Sequence, residues 1–209
     1  MMYEVPAKQQ FDAIRKHIAS IKPELIICDF NGVLDDYYKC KYEYIRKVLG
    51  RAYSSHIAEL AVFTDTEYIN DHAATLEGSI RKYAFNHGLH LDENANAHLK
   101  KGMAPSSLAP SAELFLKQLA PIPVVVYTAQ PRTFVDQYAG FADGVEWISC
   151  QQLGEAKPSV TNLQQIMHRY NVSGSEVCVI GDGLLDDLMP AKLLGAHTIL
   201  VSPFADVTL

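Results

Sequence analysis

The sequence predicts an α/β protein built on a parallel sheet. Short, continuous apolar runs recur along the chain, and stretches of helical periodicity separate the later ones. Residues 37–104 carry helical spacing only, which predicts a helical domain inserted after the first strand.

Phe11, Ile14 and Ile18 recur at helical spacing and predict a helix over 7–20, which Pro23 stops. Leu25, Ile26, Ile27 and Cys28 form a run suited to a strand buried on both faces, ending at Asp29. Similar runs at 123–127, 145–148, 177–180 and 197–201 predict four more such strands. Helical patterns at 133–138, 159–170 and 187–194 lie between the later runs, as right-handed crossovers require. In the insert, Tyr42, Ile45, Val48 and Leu49 share one helical face. Ile57, Leu60 and Ala61, then Ile80, Tyr83 and Ala84, mark further helices. The insert starts at the carboxyl end of the first strand, where α/β sheets bind ligands, so it reads as a cap. Residues 102–110 (GMAPSSLAP) read as the hinge back. The expected organisation is a core of residues 1–36 and 105–209 with a cap of residues 37–104.

Composition sets limits. Hydrophobic residues make up 48% and charged residues 20% of 209, which is globular rather than disordered. A formal charge of −6 argues against nucleic acid as a partner. Cys28, Cys40, Cys150 and Cys178 form no CxxC pair and no zinc spacing, and read as reduced thiols. Residues 1–10 are polar, without the apolar segment of a secretion signal, and no apolar run approaches a membrane span. The expectation is a cytoplasmic protein with no membrane partner. Nothing in the sequence specifies an oligomeric state.

Two stretches carry the chemistry. In Asp29-Phe30-Asn31-Gly32-Val33-Leu34 a carboxylate follows a buried strand and Gly32 allows a sharp turn. Ile180-Gly181-Asp182-Gly183-Leu184-Leu185-Asp186-Asp187 has the same plan. In a parallel sheet both acidic ends open on one edge, so Asp29 and Asp182 could share one hard cation such as Mg2+. Either motif alone also fits an Asp that merely caps the next helix. Thr128 ends another buried run, and Lys157 precedes Pro158 and a helix. A hydroxyl and an ammonium at that edge would hold phosphoryl oxygens. The sequence argues against a serine or cysteine hydrolase, because there is no GxSxG elbow and Cys28 would point away from the edge.

Taken in order, these pieces resemble the haloacid dehalogenase-like (HAD) superfamily: an aspartate nucleophile, a Ser or Thr, a lysine and a final GD(x)nD. The resemblance implies a three-layer αβα Rossmann-like core and a C1-type cap. It implies a hydrolase, most simply a phosphatase acting on a small phosphorylated metabolite, with Asp29 forming an aspartyl-phosphate. Thr128 and Lys157 would bind the transferring group, with Gly32 and Ala129 beside it. Asp29, the Asn31 carbonyl and Asp182 would ligate Mg2+, supported by Asp186 and Asp187.

Asn31 departs from the family pattern, where a second aspartate acts as general acid and base. An amide cannot carry a proton in that way. The acid could come instead from Asp35, Asp36 or a cap histidine, or the substrate could have a good leaving group. C–halogen or C–P chemistry, or a catalytically weakened ligand-binding relative, would also fit, as would an introduced Asp-to-Asn change. In the insert, Lys39, Lys41, Arg46, Lys47 and Arg51 read as a solvated face, or as a positive lid over an anion. Tyr37, Tyr38, Tyr42 and Tyr44 fit packing or stacking equally. His72, His87, His90 and His98 make no metal-ligand spacing. One consequence is testable. A general acid works protonated, so rate falls as pH rises through its pKa. With Asn31 in that place the pH–rate profile should lack this basic limb; an upper limb would show that another residue has taken the role.

Overall fold

The computed structural model describes residues 8–70 and 75–201; residue 7, where the first helix is expected to begin, and His72 lie outside them. The chain runs through α1 (Lys8–Ile21), β1 (Leu25–Cys28), α2 (Tyr37–Leu49), α3 (Ile57–Asn70), α4 (Leu76–Asn86) and α5 (Glu93–Lys101). It continues through α6 (Pro110–Gln118), β2 (Val124–Thr128), α7 (Arg132–Val135), β3 (Val145–Ser149) and α8 (Cys150–Leu153). It ends with α9 (Val160–Tyr170), β4 (Val177–Gly181), α10 (Met189–Leu193) and β5 (His197–Leu200). Two compact units divide it. One takes the chain up to Asp36 and again from Ser107; the other is Tyr37–Ser106.

In the first unit the five strands are all parallel, in the order β3-β2-β1-β4-β5. Every residue of β1, β2 and β4 is buried, which is why these strands read as unbroken apolar runs rather than alternating ones. Alternation along each strand still sorts the side chains. Ile26, Cys28, Val124, Val126, Cys178 and Ile180 join Phe11, Ile14 and Ile18 of α1 and Phe115 and Leu116 of α6. Leu25, Ile27, Val125, Tyr127, Val177 and Val179 join Leu163, Ile166 and Met167 of α9. Helices thus cover both faces, giving the three-layer Rossmann-like core. Phe11 stacks on Phe115 at 4.5 Å, and Trp147 stacks on Tyr138 at 4.1 Å within the same core.

The predicted elements differ from the observed ones in informative places. Strand ends agree to within a residue, but β5 is not buried on both faces; it is an edge strand, exposed at His197 and Leu200. The expected helix at 133–138 is α7 followed by a single 3-10 turn. The expected helix at 187–194 starts later, because Leu184–Leu188 forms one wide π turn before α10. The helices α6 and α8 lie outside the predicted elements, although Pro110 at a first helical position and the Ser149–Gln152 capping box signal both. The thiols of Cys28, Cys150 and Cys178 are buried and unbridged. Among the described residues, no helix is long and apolar enough to cross a membrane.

In the second unit Tyr44, Ile45, Val48, Leu49, Ile57, Leu60, Ile80, Tyr83, Ala95 and Leu99 form a separate core. Thr75 and Asp92 cap α4 and α5 by accepting the N–H groups of Gly78 (3.0 Å) and Ala95 (2.7 Å). The solvated or lid-like reading of Lys41 is corrected. Its side chain is buried, with the ammonium on Asp65 and on the Ala61 carbonyl at 3.1 Å. A buried ammonium needs such partners, and a helical wheel cannot show them.

The sheet centre should dominate stability. Ile26→Ala, on the fully buried β1, should cost about 2–5 kcal/mol, whereas Leu200→Ala on the exposed edge should change stability by roughly 0.5 kcal/mol or less. Urea unfolding of both variants checks this. Equal losses would mean that the sheet order is wrong.

Candidate active site

The strand order brings the two acidic motifs together. β1 lies beside β4 in parallel register, with Cys28 opposite Ile180, and the Asp29 N–H extends the ladder to the Ile180 carbonyl at 2.8 Å. Asp29 and Asp182 therefore leave adjacent strands at one edge. The chain builds outward from β1 through β2 and β3, then returns to β4 on β1's other side. Such a reversal opens a ligand crevice at the carboxyl ends of the strands.

A third carboxylate joins from the π turn. Oxygens of Asp29, Asp182 and Asp187 all lie within 4.8 Å of one another. Of the two expected supporters, Asp187 belongs to this group and Asp186 does not. Asp187 Oδ2 accepts the Gly183 N–H at 3.1 Å, and the Asp187 N–H donates to the Gly183 carbonyl at 3.0 Å. Gly181 is needed for this approach, since a Cβ there would lie 2.5 Å from the Asp187 Cβ.

Lys157 reaches into the group from the loop before α9. Its ammonium donates to Asp29 Oδ1 at 2.6 Å and to Asp187 Oδ1 at 2.8 Å. Burial opposes the lysine's charge, but the Asp187 and Asp29 carboxylates outweigh it and raise the Lys157 pKa above its ordinary value. Burial, then the Asp187 charge, push the Asp29 carboxyl well above the usual carboxylate range, with Lys157 opposing them. Three carboxylates thus converge as hard oxygen donors, two of them bonded to one ammonium. That donor set fits a divalent, oxygen-liking cation, which would favour the ionised form of Asp29.

The turn after Asp29 is held by Asp35. Gly32 has φ of +76° and its N–H donates to Asp35 Oδ1 at 2.8 Å. Asn31 Nδ2 donates to Asp35 Oδ2 at 2.6 Å, and Asn31 Oδ1 accepts from Gln130 Nε2 at 2.9 Å. The amide at position 31 therefore has a matched partner at each end. Asp36, the other carboxylate considered as an acid, accepts the Ser107 N–H at 2.9 Å. Thr128, fully buried at the end of β2, accepts the Gln130 N–H at 3.1 Å, and Ala129 beside it is exposed. Ser149, ending β3, donates to the Gln130 carbonyl at 2.6 Å and so fixes that loop.

Sequence reasoning missed Gln130, Ser149, Tyr127 and Asn162 as parts of this site. Tyr127 and Asn162 support Lys157: the ammonium lies 4.8 Å from the Tyr127 ring centroid, and Asn162 Nδ2 donates to the Tyr127 hydroxyl at 2.8 Å. None of the four carries a local signal, because each acts on a residue from another element. Asp35, expected as a candidate acid, stands in a tight turn after Gly32 where its side chain bonds the backbone.

With this geometry established, comparison with known proteins adds the family. A family model described as haloacid dehalogenase-like hydrolase matches residues 23–195. The chain belongs to the HAD-like hydrolases. No curated protein matches it. Solved structures agree on the fold. One described as a HAD-hydrolase, YfnB of Bacillus subtilis bound to magnesium, shares 13% identity at a TM-score of 0.61, covering 88% of this chain and 89% of its own. A predicted phosphoglycolate phosphatase from Haemophilus somnus shares 16% at 0.55, covering 86% and 85%. L-2-haloacid dehalogenase from Xanthobacter autotrophicus shares 19% at 0.52, covering 86% and 77%.

The buried charge balance of this HAD-like core is open to test. Lys157→Met removes the ammonium shared by two largely buried carboxylates. It should destabilise the protein by about 3–5 kcal/mol in urea unfolding. A divalent cation should recover part of that loss, since it supplies the missing positive charge. An unchanged midpoint would show that the ion pairs contribute no net stability.

Proposed function

We propose that this HAD-like hydrolase is a Mg2+-dependent phosphatase acting on a small phosphorylated metabolite, with Asp29 as nucleophile. The observation that carries the reading is the convergence of Asp29, Asp182 and Asp187 oxygens within 4.8 Å, with Lys157 bonded to two of them. Mg2+ would be held by these three carboxylates and the Asn31 carbonyl, with Asp186 in support. When bound it offsets negative charge on the carboxylates and on the phosphoryl oxygens.

An oxygen of Asp29 attacks phosphorus while the bond to the leaving oxygen breaks. Lys157 aims Asp29 and opposes its protonation, with two of its three N–H groups on Asp29 and Asp187. The third is suited to a phosphoryl oxygen, as are the Thr128 hydroxyl and the backbone around Gly32 and Ala129. Water then attacks the aspartyl-phosphate, releasing inorganic phosphate and regenerating Asp29. Asn31 gives no proton to the leaving oxygen, so that oxygen leaves as an anion or takes a proton from solvent. The preferred substrates are therefore those with stable leaving groups, such as phosphoanhydrides, acyl phosphates and activated phosphoesters. The second unit, Tyr37–Ser106, serves in this reading as the substrate-selecting cap.

One observation favours a second reading. The Asn31 amide is matched to Asp35 and Gln130, as an ionised carboxylate at that position would not be. Chemistry that needs no acid there, such as C–halogen or C–P cleavage, fits this feature. Three converging carboxylates weigh against a carboxylate-bearing haloacid unless a cation is present.

Hydrolysis assays separate the two. The phosphatase should cleave p-nitrophenyl phosphate with Mg2+ and lose activity with a chelator, and Asp29→Asn should be inactive. Alkyl phosphates should be slower by about 10²–10⁴-fold, the share that general acid catalysis supplies. Halide release from 2-haloacids in the presence of chelator, with no phosphate release, would replace the first reading by the second.

A further inference from the structure

We propose that Asn162 is a positioning residue for Lys157, acting through the Tyr127 ring and the loop that carries the lysine. This rests on the reading of Lys157 as the group that orients Asp29.

Lys157 reaches its partners from a loop, and a flexible stem on a loop does not hold an ammonium to a fraction of an ångström by itself. Two supports are visible. The first is the Tyr127 ring, 4.8 Å from Nζ at its centroid, which attracts the charge through its π face. The second is the loop backbone, fixed at the Glu155 carbonyl. Asn162 makes both supports rigid at once. Its Nδ2 donates to the Tyr127 hydroxyl at 2.8 Å and to the Glu155 carbonyl at 2.8 Å. A carbonyl can only accept, so the amide orientation is settled and both of its N–H groups are used.

The residue is poorly suited to a purely apolar packing role. Asn162 is fully buried in the first turn of α9, among Leu163, Ile166 and Met167, and its Oδ1 has no partner. Burying an amide with an unsatisfied oxygen disfavours folding, and an apolar residue of the same size would avoid it. Its backbone N–H is separately satisfied by the Ser159 hydroxyl at 2.9 Å, so the helix cap does not need the side chain. What the side chain adds is the link between β2 and the lysine loop. Tyr127 adjoins Thr128, so the same link ties the lysine to the strand end that carries the hydroxyl.

Asn162→Leu keeps the volume and removes both donors; Tyr127→Phe keeps the ring and removes the acceptor. Lys157 can be followed without activity by NMR of 13C-lysine-labelled protein, its ε-methylene signal assigned by loss in Lys157→Arg. Over a ring face that signal should lie upfield of other lysines. It should move towards them in Asn162→Leu, and part-way in Tyr127→Phe. With p-nitrophenyl phosphate and Mg2+, Asn162→Leu should lower kcat by about tenfold or more, with KM and calorimetric Mg2+ affinity little changed, as expected for a misplaced catalytic group. An unmoved Lys157 signal in both variants, or an unchanged kcat in folded Asn162→Leu, overturns the proposal. If the unsubstituted protein hydrolyses no phosphate ester, the phosphatase reading fails by itself, and the NMR signal alone decides whether Asn162 positions the lysine.

Discussion

Parallel pairing of β1 with β4 is the constraint on which the site depends. It brings the ends of two strands, far apart in the chain, to adjacent places on one edge, and each end carries a carboxylate. The π turn adds Asp187, so three carboxylates converge in one small volume, and Lys157 bridges two of them. Like charges at such distances are tolerated only where something else repays the repulsion. The apolar core of the sheet supplies that stability. Ile26, Ile27, Val179 and Ile180 are almost wholly enclosed and do not depend on the charges at the strand ends. The site is therefore a cluster of carboxylates carried by a hydrophobic scaffold.

Around that centre the loops divide the work of holding it. Asp35 closes the turn after Asp29 through the Gly32 N–H and the Asn31 amide. Gln130, itself held by Ser149, meets the other end of the same amide. Asn162 and Tyr127 stand on the far side, beneath Lys157. Asn31 is thus integrated into its surroundings as an amide. Its neighbours complement a neutral group with one donor end and one acceptor end.

How far the sequence could be read follows from where burial falls. β1, β2 and β4 were legible to within a residue because both faces are enclosed, so the apolar run and the strand nearly coincide. β5 was legible as a strand but not as an edge, since a run of apolar letters does not say which neighbours are present. The short helices α7 and α10 were blurred because a turn or two offers too few positions for periodicity to register. Asp29, Asp182, Thr128 and Lys157 could be picked out because each stands at the end of a strand or the start of a helix, a place visible in one dimension. Gln130, Ser149 and Asn162 could not, because what they do is defined by a partner on another element.

By itself the sequence determined the parallel α/β core and the helical insert, and it placed Asp29, Thr128, Lys157 and Asp182 at element ends and an amide at position 31. These are properties of runs, spacings and residue types, and local physics fixes them. Only the tertiary structure decided that Asp187 rather than Asp186 completes the carboxylate group, that Lys157 bridges Asp29 and Asp187, and that Lys41 is buried. The reason is the same in each case. Adjacent residues of a turn can point in opposite directions, and the charge a side chain meets depends on which strands and loops the fold has laid beside it.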